Sequence, residues 1–458
     1  MHSRPMSAHC AERLVPGARR RPCGVAALYL AQRVKPRTGT RFVKARGSLS
    51  GTIMQSMQHQ LASSYSQHPS FQFDRSEWDL SSALLAAFVD SYQLVRVYGA
   101  RLARSQFDAS MRQCAAALGA IFGSLKAQSG DTYEAAFLHE LEQECTRLLH
   151  EELVHLHRGA LQHFVDLPGV QVQAQALQLA QDLCFFDALP EPVVRELLDL
   201  GAEELSRCRA HASAGRLTRE DLSVNSGAAV RGIMRVLNRE FAKSGVLACV
   251  SAYAGSRMTV TGLALELSVP QATWWANGFE ALDRAPLTLY AHLDESILYP
   301  KSIVYLSAVD GQNGPTGVYR QVVPALALNP LQEIVGRVLG NVGNLAGSAL
   351  RDYYSKPYHQ SMRSAHFRAH FMRLPQAMRF NSHLGWDVCP GSALEQTLAQ
   401  SETRMTGPAG TFVVFDGARL LHRGGMVQMG ERIALQVVFS SASKASRVLH
   451  KMRQVFAS

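Results

Sequence analysis

The 458-residue chain lacks any apolar run long enough to cross a bilayer. Its longest, such as Cys114 to Phe122, is near ten residues, where a spanning helix needs about twenty. An integral membrane protein is therefore not expected. It also lacks paired cysteines. The eight that occur (Cys10, Cys23, Cys114, Cys145, Cys184, Cys208, Cys249, Cys389) are scattered and form no CxxC pair. That excludes a zinc framework and a disulfide scaffold, and fits reduced, buried thiols in the cytoplasm. No GxGxxG follows a strand pattern, so a dinucleotide loop is not indicated.

Net charge is missing from most of the chain. Formal net charge is +10, yet residues 1–53 hold eleven bases and the single acid Glu12. The remaining 405 residues balance 36 bases with 36 acids. The basic character belongs to the leading segment, and no nucleic-acid footprint is expected on the folded body. Residues 1–53 read as a disordered leader, or as sequence ahead of a start at Met54. A transit peptide is the alternative, while the short stretch Val25 to Ala31 argues against a secretory signal. Residues 54–75 are polar and rich in Gln and Ser, as a linker would be.

Residues 76–229 read as a helical domain. Leu84, Leu85, Phe88, Tyr92 and Val95 recur at three- and four-residue steps, as do Phe137, Leu138, Leu141, Cys145, Leu148 and Leu149. Pro192 suits a helix N-terminus. His150 and His155 sit in a stretch that imitates a zinc-protease helix. Five residues place them about 140° apart around a helix, whereas that motif needs i,i+4 spacing. They are expected on the surface.

Beyond about residue 245 the texture becomes β. Pro286–His292, Lys301–Val309, Thr411–Phe415 and Arg432–Phe439 are strand-length β-branched and aromatic runs between turn signals. They predict an antiparallel double sheet or barrel. A helical insertion at 329–380 interrupts them. Gly336, Gly340, Gly343 and Gly347 predict a helix packed closely on a neighbour. Between Arg351 and Arg379 the insertion carries six Arg and Lys against Asp352. Two readings stand: a basic lid for a substrate bearing phosphate or carboxylate, or a solvated face balanced by acids of the bundle.

Two segments carry chemistry. In Tyr290-Ala291-His292-Leu293-Asp294, strand alternation sends His292 and Asp294 to one face. In Thr411 to Phe415, then Asp416-Gly417 and Leu421-His422-Arg423, a strand ends in a turn that presents His422. Two imidazoles and one carboxylate with open coordination positions are what a non-haem Fe(II) oxygenase needs. Arg432, ten residues after His422, opens the next strand, and an antiparallel return would bring its guanidinium near that site. Arginine grips carboxylates bidentately.

Residues 230–442, less the insertion, resemble the phytanoyl-CoA dioxygenase-like family of Fe(II)/2-oxoglutarate oxygenases. The matching residues are His292-Leu293-Asp294, Val309-Asp310-Gly311-Gln312-Asn313-Gly314-Pro315, Gly407 to Gly417, His422-Arg423-Gly424 and Arg432. A PGS segment occurs late, at Pro390-Gly391-Ser392, and lacks the histidine that usually follows in the family. The resemblance implies a double-stranded β-helix, or jelly-roll, core. It implies His292, Asp294 and His422 as iron ligands and Arg432 as anchor of the 2-oxoglutarate carboxylate. Tyr305 falls where an aromatic side chain lines the co-substrate pocket.

The expected fold is therefore α+β and multidomain: an N-terminal helical bundle (76–229), then a jelly-roll domain (230–445) with a helical insertion. The expected activity is hydroxylation of an unactivated C–H bond of a small molecule. It would use Fe(II), O2 and 2-oxoglutarate, which is decarboxylated to succinate. Asp294 argues against halogenation, because a halogenase needs that coordination position for chloride. The rival readings are a non-catalytic jelly-roll binding module and a helical scaffold carrying a relict oxygenase domain.

Overall fold

The structure is a computed structural model. It describes residues 78–98, 102–130, 132–161, 169–270, 291–294, 299–341, 373–380, 382–386 and 390–441, with Thr288 and Val388. All lie in the compact unit Ser50–Ser458. The leader at 1–53, the linker at 54–75, most of the strand expected at 286–292, and 342–372 of the insertion fall outside the described residues.

Three long helices come first: α1 (Ser82–Tyr98), α2 (Arg104–Gln128) and α3 (Thr132–Leu161). The periodic residues explain their packing. Phe88, Tyr92 and Val95 of α1 meet Phe137, Leu138, Leu141, Cys145 and Leu148 of α3 in one buried core. His150 of α3 is exposed, as expected of a surface histidine. Among the described residues, no helix is long and apolar enough to cross a membrane.

The chain continues through α4 (Val170–Asp182), β1 (Cys184–Ala188), α5 (Glu191–Ser213), α6 (Arg219–Leu222), β2 (Ser223–Val224), α7 (Ala228–Lys243) and α8 (Val246–Ala254). Pro190 caps α5 and Pro192 sits in its first turn, where a missing N–H costs nothing. The strands β3 (Met258–Ser268), β4 (Lys301–Tyr305) and β5 (Gly317–Tyr319) follow. Helices α9 (Val322–Leu326), α10 (Pro330–Asn341) and α11 (Ala393–Ser401) lead to β6 (Thr403–Arg404), β7 (Thr411–Phe415), β8 (Leu421–Arg423) and β9 (Arg432–Ser441).

The strands form two antiparallel sheets, one ordered β1-β7-β4-β9-β3-β2 and one ordered β6-β5-β8. Alternation divides the large sheet into two faces. Val304, Phe412, Val414, Ile433, Leu435, Val437 and Phe439 pack on α4, α5, α7 and α8. Phe241 of α7 sets its ring 5.4 Å from Phe412 and 5.8 Å from Phe439. Such tilted pairs add about 0.5–1.5 kcal/mol beyond burial. The opposite face presents Cys184, Tyr305, Val413, Phe415 and Ala434, which share a second core with Val318 of the small sheet.

One expectation needs correction. The bundle does not extend to 229. From Val170 onward the helices cover the large sheet, and Cys184–Ala188 is its edge strand. Five residues, CFFDA, give periodicity too little length to tell a strand from a helix segment. Among the described residues, His292 to Asp294 belongs to no named strand, and most of the strand expected at 286–292 lies outside them. His292 makes an isolated bridge with His422.

The insertion is rooted in the bundle. Leu331, Ile334, Val335, Val338 and Leu339 of α10, with Leu374 and Met378, join the core of α1–α3. A Cβ on Gly336 would stand 2.6 Å from the Phe380 carbonyl oxygen, so close approach requires glycine there, as its spacing predicts. Arg373, one of the insertion's bases, pairs with Glu134 of α3.

The joint between α10 and α3 is ionic and dry. Arg337 meets Glu152 at 2.7 Å, with side chains 3% and 4% exposed. The Tyr92 hydroxyl donates to Oε1 of Glu152 at 2.5 Å. Burial pushes the Glu152 carboxyl up, but Arg337 and Tyr92 outweigh it and hold the group below the usual range. Arg337→Met leaves a buried carboxylate without its cation. It is expected to destabilise the fold by about 3–5 kcal/mol in urea unfolding.

Candidate metal centre

The centre is assembled from two backbone pieces that clasp each other. The His292 N–H donates to the His422 carbonyl oxygen at 2.9 Å, and the His422 N–H returns the bond at 3.1 Å. The Asp294 N–H donates to the Gly417 carbonyl oxygen at 2.8 Å. Residues 292 and 294 thus lie along the turn and strand that carry His422, and alternation sends both side chains to it.

The turn between β7 and β8 is fixed by a buried acid. Asp416 Oδ2 accepts from the Tyr253 hydroxyl at 2.6 Å and from Arg419 Nε at 3.1 Å, and Oδ1 accepts the Ala418 N–H at 3.1 Å. Tyr253 belongs to α8, so a helix on the outer face of the large sheet helps hold the turn that leads to His422. Gly417 follows because nothing larger fits. A Cβ there would lie 2.0 Å from Asp294 Oδ2 and 3.0 Å from His422 Cε1.

His292, Asp294 and His422 each offer one ligand atom, and these atoms lie within 4.8 Å of one another. His422 Nε2 is 3.8 Å from Asp294 Oδ2, and His292 Nε2 is 3.9 Å from Asp294 Oδ1. Three ligands on one octahedral face, each about 2.1 Å from an ion, stand about 3 Å apart. Closing the gap takes movements of under about 1 Å, within side-chain reach.

The tautomer of His422 follows from its neighbour. Nδ1 lies 3.0 Å from the Leu420 carbonyl oxygen. A carbonyl only accepts, so Nδ1 carries the hydrogen and Nε2 keeps its lone pair for a metal. Burial and then the adjacent His292 push the His422 imidazole down to about 3, with Asp294 pulling the other way. Burial pushes the Asp294 carboxyl up, yet Lys301, His422 and His292 outweigh it and hold the group well below the usual carboxylate range. A neutral imidazole and an ionised carboxylate are the forms a metal binds.

Asp294 Oδ2 is buried without a hydrogen-bond partner. A buried carboxylate oxygen left bare is costly, and a cation relieves that cost. The N,N,O donor set, the lone pair on His422 and this bare oxygen fit a divalent ion of the iron type.

Arg432 and Tyr305 form a second group in the space between the sheets. Arg432 donates to the Gly314 carbonyl oxygen and, at 3.1 Å, to Ser268 Oγ, while its Nε is buried without a partner. The Tyr305 hydroxyl accepts the Thr316 N–H at 2.7 Å. Burial raises the Tyr305 phenol, and Arg432 beside it acts in the opposite direction. Gly314 has φ +74°, and a Cβ on Gly425 would stand 2.2 Å from the Gly314 carbonyl carbon. The Asn-Gly-Pro turn therefore brings a carbonyl to Arg432 through glycine-only contact. Strand β4 links the two groups. Lys301 at its start touches Asp294 and Tyr305 at its end faces Arg432, about 13 Å of strand apart.

Two neighbours of the centre carry no sequence signal of their own. Lys301 Nζ lies 2.7 Å from Asp294 Oδ1. Strand parity with Tyr305 was the available clue to its inward direction. His383 stacks its buried ring on His292, with centroids 5.2 Å apart and planes 15° from parallel. Its segment is tied down by the Leu293 N–H to the Ser382 carbonyl oxygen (2.7 Å) and the Gly385 N–H to the Ala291 carbonyl oxygen (2.9 Å). The PGS segment serves a helix: Ser392 Oγ caps α11 by accepting the Glu395 N–H.

No family model and no curated protein matches the chain. Solved structures do resemble it at a distance. EctD from S. alaskensis, with 2-oxoglutarate and 5-hydroxyectoine, is 14% identical over 61% of this chain and 78% of its own, with a TM-score of 0.33. The non-heme alpha ketoglutarate dependent epimerase SnoN from nogalamycin biosynthesis is 12% identical over 60% and 84%, with a TM-score of 0.27. HygX from Streptomyces hygroscopicus, with nickel and 2-oxoglutarate bound, is 10% identical over 59% and 87%, with a TM-score of 0.30. Likeness this remote assigns no role to any residue here.

Proposed function

We propose that the chain is an Fe(II)- and 2-oxoglutarate-dependent oxygenase that hydroxylates an unactivated C–H bond of a small molecule. The two sheets would form its jelly-roll core. The observation that carries this reading is the convergence of His292, Asp294 and His422, with one carboxylate oxygen left bare 3.8 Å from the His422 imidazole. Iron and 2-oxoglutarate bound together supply O2 activation coupled to decarboxylation of the keto acid to succinate.

The protein's own residues bind and orient. His292, Asp294 and His422 would hold the ion by three positions and leave three open. Arg432 would take the distal carboxylate of 2-oxoglutarate through its unused Nε–H, a charge-assisted bond in a buried site. Tyr305 would line the same pocket with its ring. Asp294 keeps a carboxylate where halide transfer would need a vacant position, which favours hydroxylation.

The test is an anaerobic Fe(II) titration followed by succinate release with 2-oxoglutarate and O2. Stoichiometric Fe(II) binding with iron-dependent succinate is expected. A chain that binds ligand yet never yields succinate, even uncoupled, is a binding module instead. Arg432→Ala is expected to raise the KM for 2-oxoglutarate by about 10-fold to 100-fold, the equivalent of one charge-assisted contact. An unchanged KM removes Arg432 from the pocket.

A further inference from the structure

The two oxygens of Asp294 are not equivalent. Oδ1 is taken by the Lys301 ammonium at 2.7 Å, whereas Oδ2 has no hydrogen-bond partner and faces His422 Nε2 at 3.8 Å. Oδ2 occupies the space that a Cβ on Gly417 would need, 2.0 Å from where that atom would stand. Lys301 is the first residue of β4. Its backbone is set by pairing with Phe415 on one side and Val438 on the other. The ammonium therefore comes from a rigid sheet position, and its side chain keeps 39% of its exposure.

We propose that Lys301 is a positioning residue of the metal centre: its ammonium holds Asp294 Oδ1, so that Oδ2 alone is presented to the ion. The inference rests on the metal-centre reading above and extends it. A carboxylate free to rotate can chelate through both oxygens and occupy a further coordination position. A chelating co-substrate needs that position. With Oδ1 held by a cation, Asp294 is left as a one-oxygen ligand, and the open face keeps its full width. Outer partners of this kind orient a ligand before the ion arrives.

Lys301 could instead be a bystander that merely neutralises Asp294 in the absence of metal. The two roles predict opposite signs. A bystander ammonium repels a dication and competes for the carboxylate, so its removal tightens metal binding. A positioning ammonium orders the ligand, so its removal loosens binding and changes the coordination.

The experiment titrates the full-length chain with Co(II), whose visible bands weaken as coordination number rises. The unsubstituted chain is expected to bind one Co(II). Lys301→Met is expected to raise the Kd by about 10-fold or more, with weaker visible bands as Asp294 becomes bidentate. Lys301→Arg restores a donor to Oδ1 and is expected within about threefold of the unsubstituted Kd. Lys301→Gln, which keeps a neutral donor, gives the same reading should the methionine variant fail to fold, with a loss smaller than that of methionine. Unchanged bands and affinity in Lys301→Met, or tighter binding, overturn the proposal. A folded unsubstituted chain that binds no Co(II) overturns the metal-centre reading itself, and the role of Lys301 with it.

Discussion

His422→Ala is expected to cut Fe(II) affinity by about 100-fold or more and to remove iron-dependent succinate release. Changing a residue that only supports a ligand already costs about 10-fold to 100-fold, and on the proposed reading His422 supplies the ligand atom itself. Its imidazole also touches three other parts of the site. Nδ1 is bonded to the Leu420 carbonyl, the ring stands 4.7 Å from that of Phe415, and its centroid is 4.3 Å from that of His292. Alanine therefore removes both a ligand and packing. His422→Gln keeps more of the volume and separates the two effects. It should melt close to the unsubstituted chain and still fail to bind Fe(II) tightly. Calorimetric titration under anaerobic conditions reads the affinity, and thermal unfolding reads the fold. Undiminished binding in either variant removes His422 from the ligand set.

The convergence of His292, Asp294 and His422 was legible in the sequence because metal chemistry restricts residue types and alternation restricts direction. His292 and Asp294 two apart, and His422 just beyond a strand and turn, need no tertiary information to be suspected. The course of β9 from Arg432 was legible for the same reason, as were the faces of α1 and α3. What was hidden depends on distant partners. Cys184–Ala188 is a strand because β7 lies beside it, and its five residues are too few to show a period. Lys301 looked like the polar first residue of a strand. Its meaning comes from Asp294, which lies seven positions earlier but reaches it through a stretch with no described strand. His383 sits in no motif, and its stacking on His292 is purely a product of the fold. The root of the insertion was likewise hidden, since nothing local says that α10 completes the core of the first three helices.

Gly417→Ala is expected to damage the metal centre more than any other single-methyl change. Gly417 has no left-handed backbone that would demand glycine, so the whole effect is spatial. The added Cβ would stand 2.0 Å from Asp294 Oδ2 and 2.9 Å from its Cγ, well inside contact distance. Something must move, and the choices are few. The turn cannot retreat easily, because Asp416 and Arg419 bind it to Tyr253 and the Asp294 N–H is bonded to the Gly417 carbonyl. The Asp294 carboxylate is the softer partner, and displacing it swings away the one oxygen that has no other bond. The expected result is a fall in Fe(II) affinity of about 100-fold, comparable to loss of a ligand. Stability should fall by only about 1–3 kcal/mol, the usual cost of overpacking. Urea unfolding and Fe(II) titration of the same preparation separate the two quantities. Near-normal iron binding by Gly417→Ala would mean that Asp294 Oδ2 is not the atom presented to the ion.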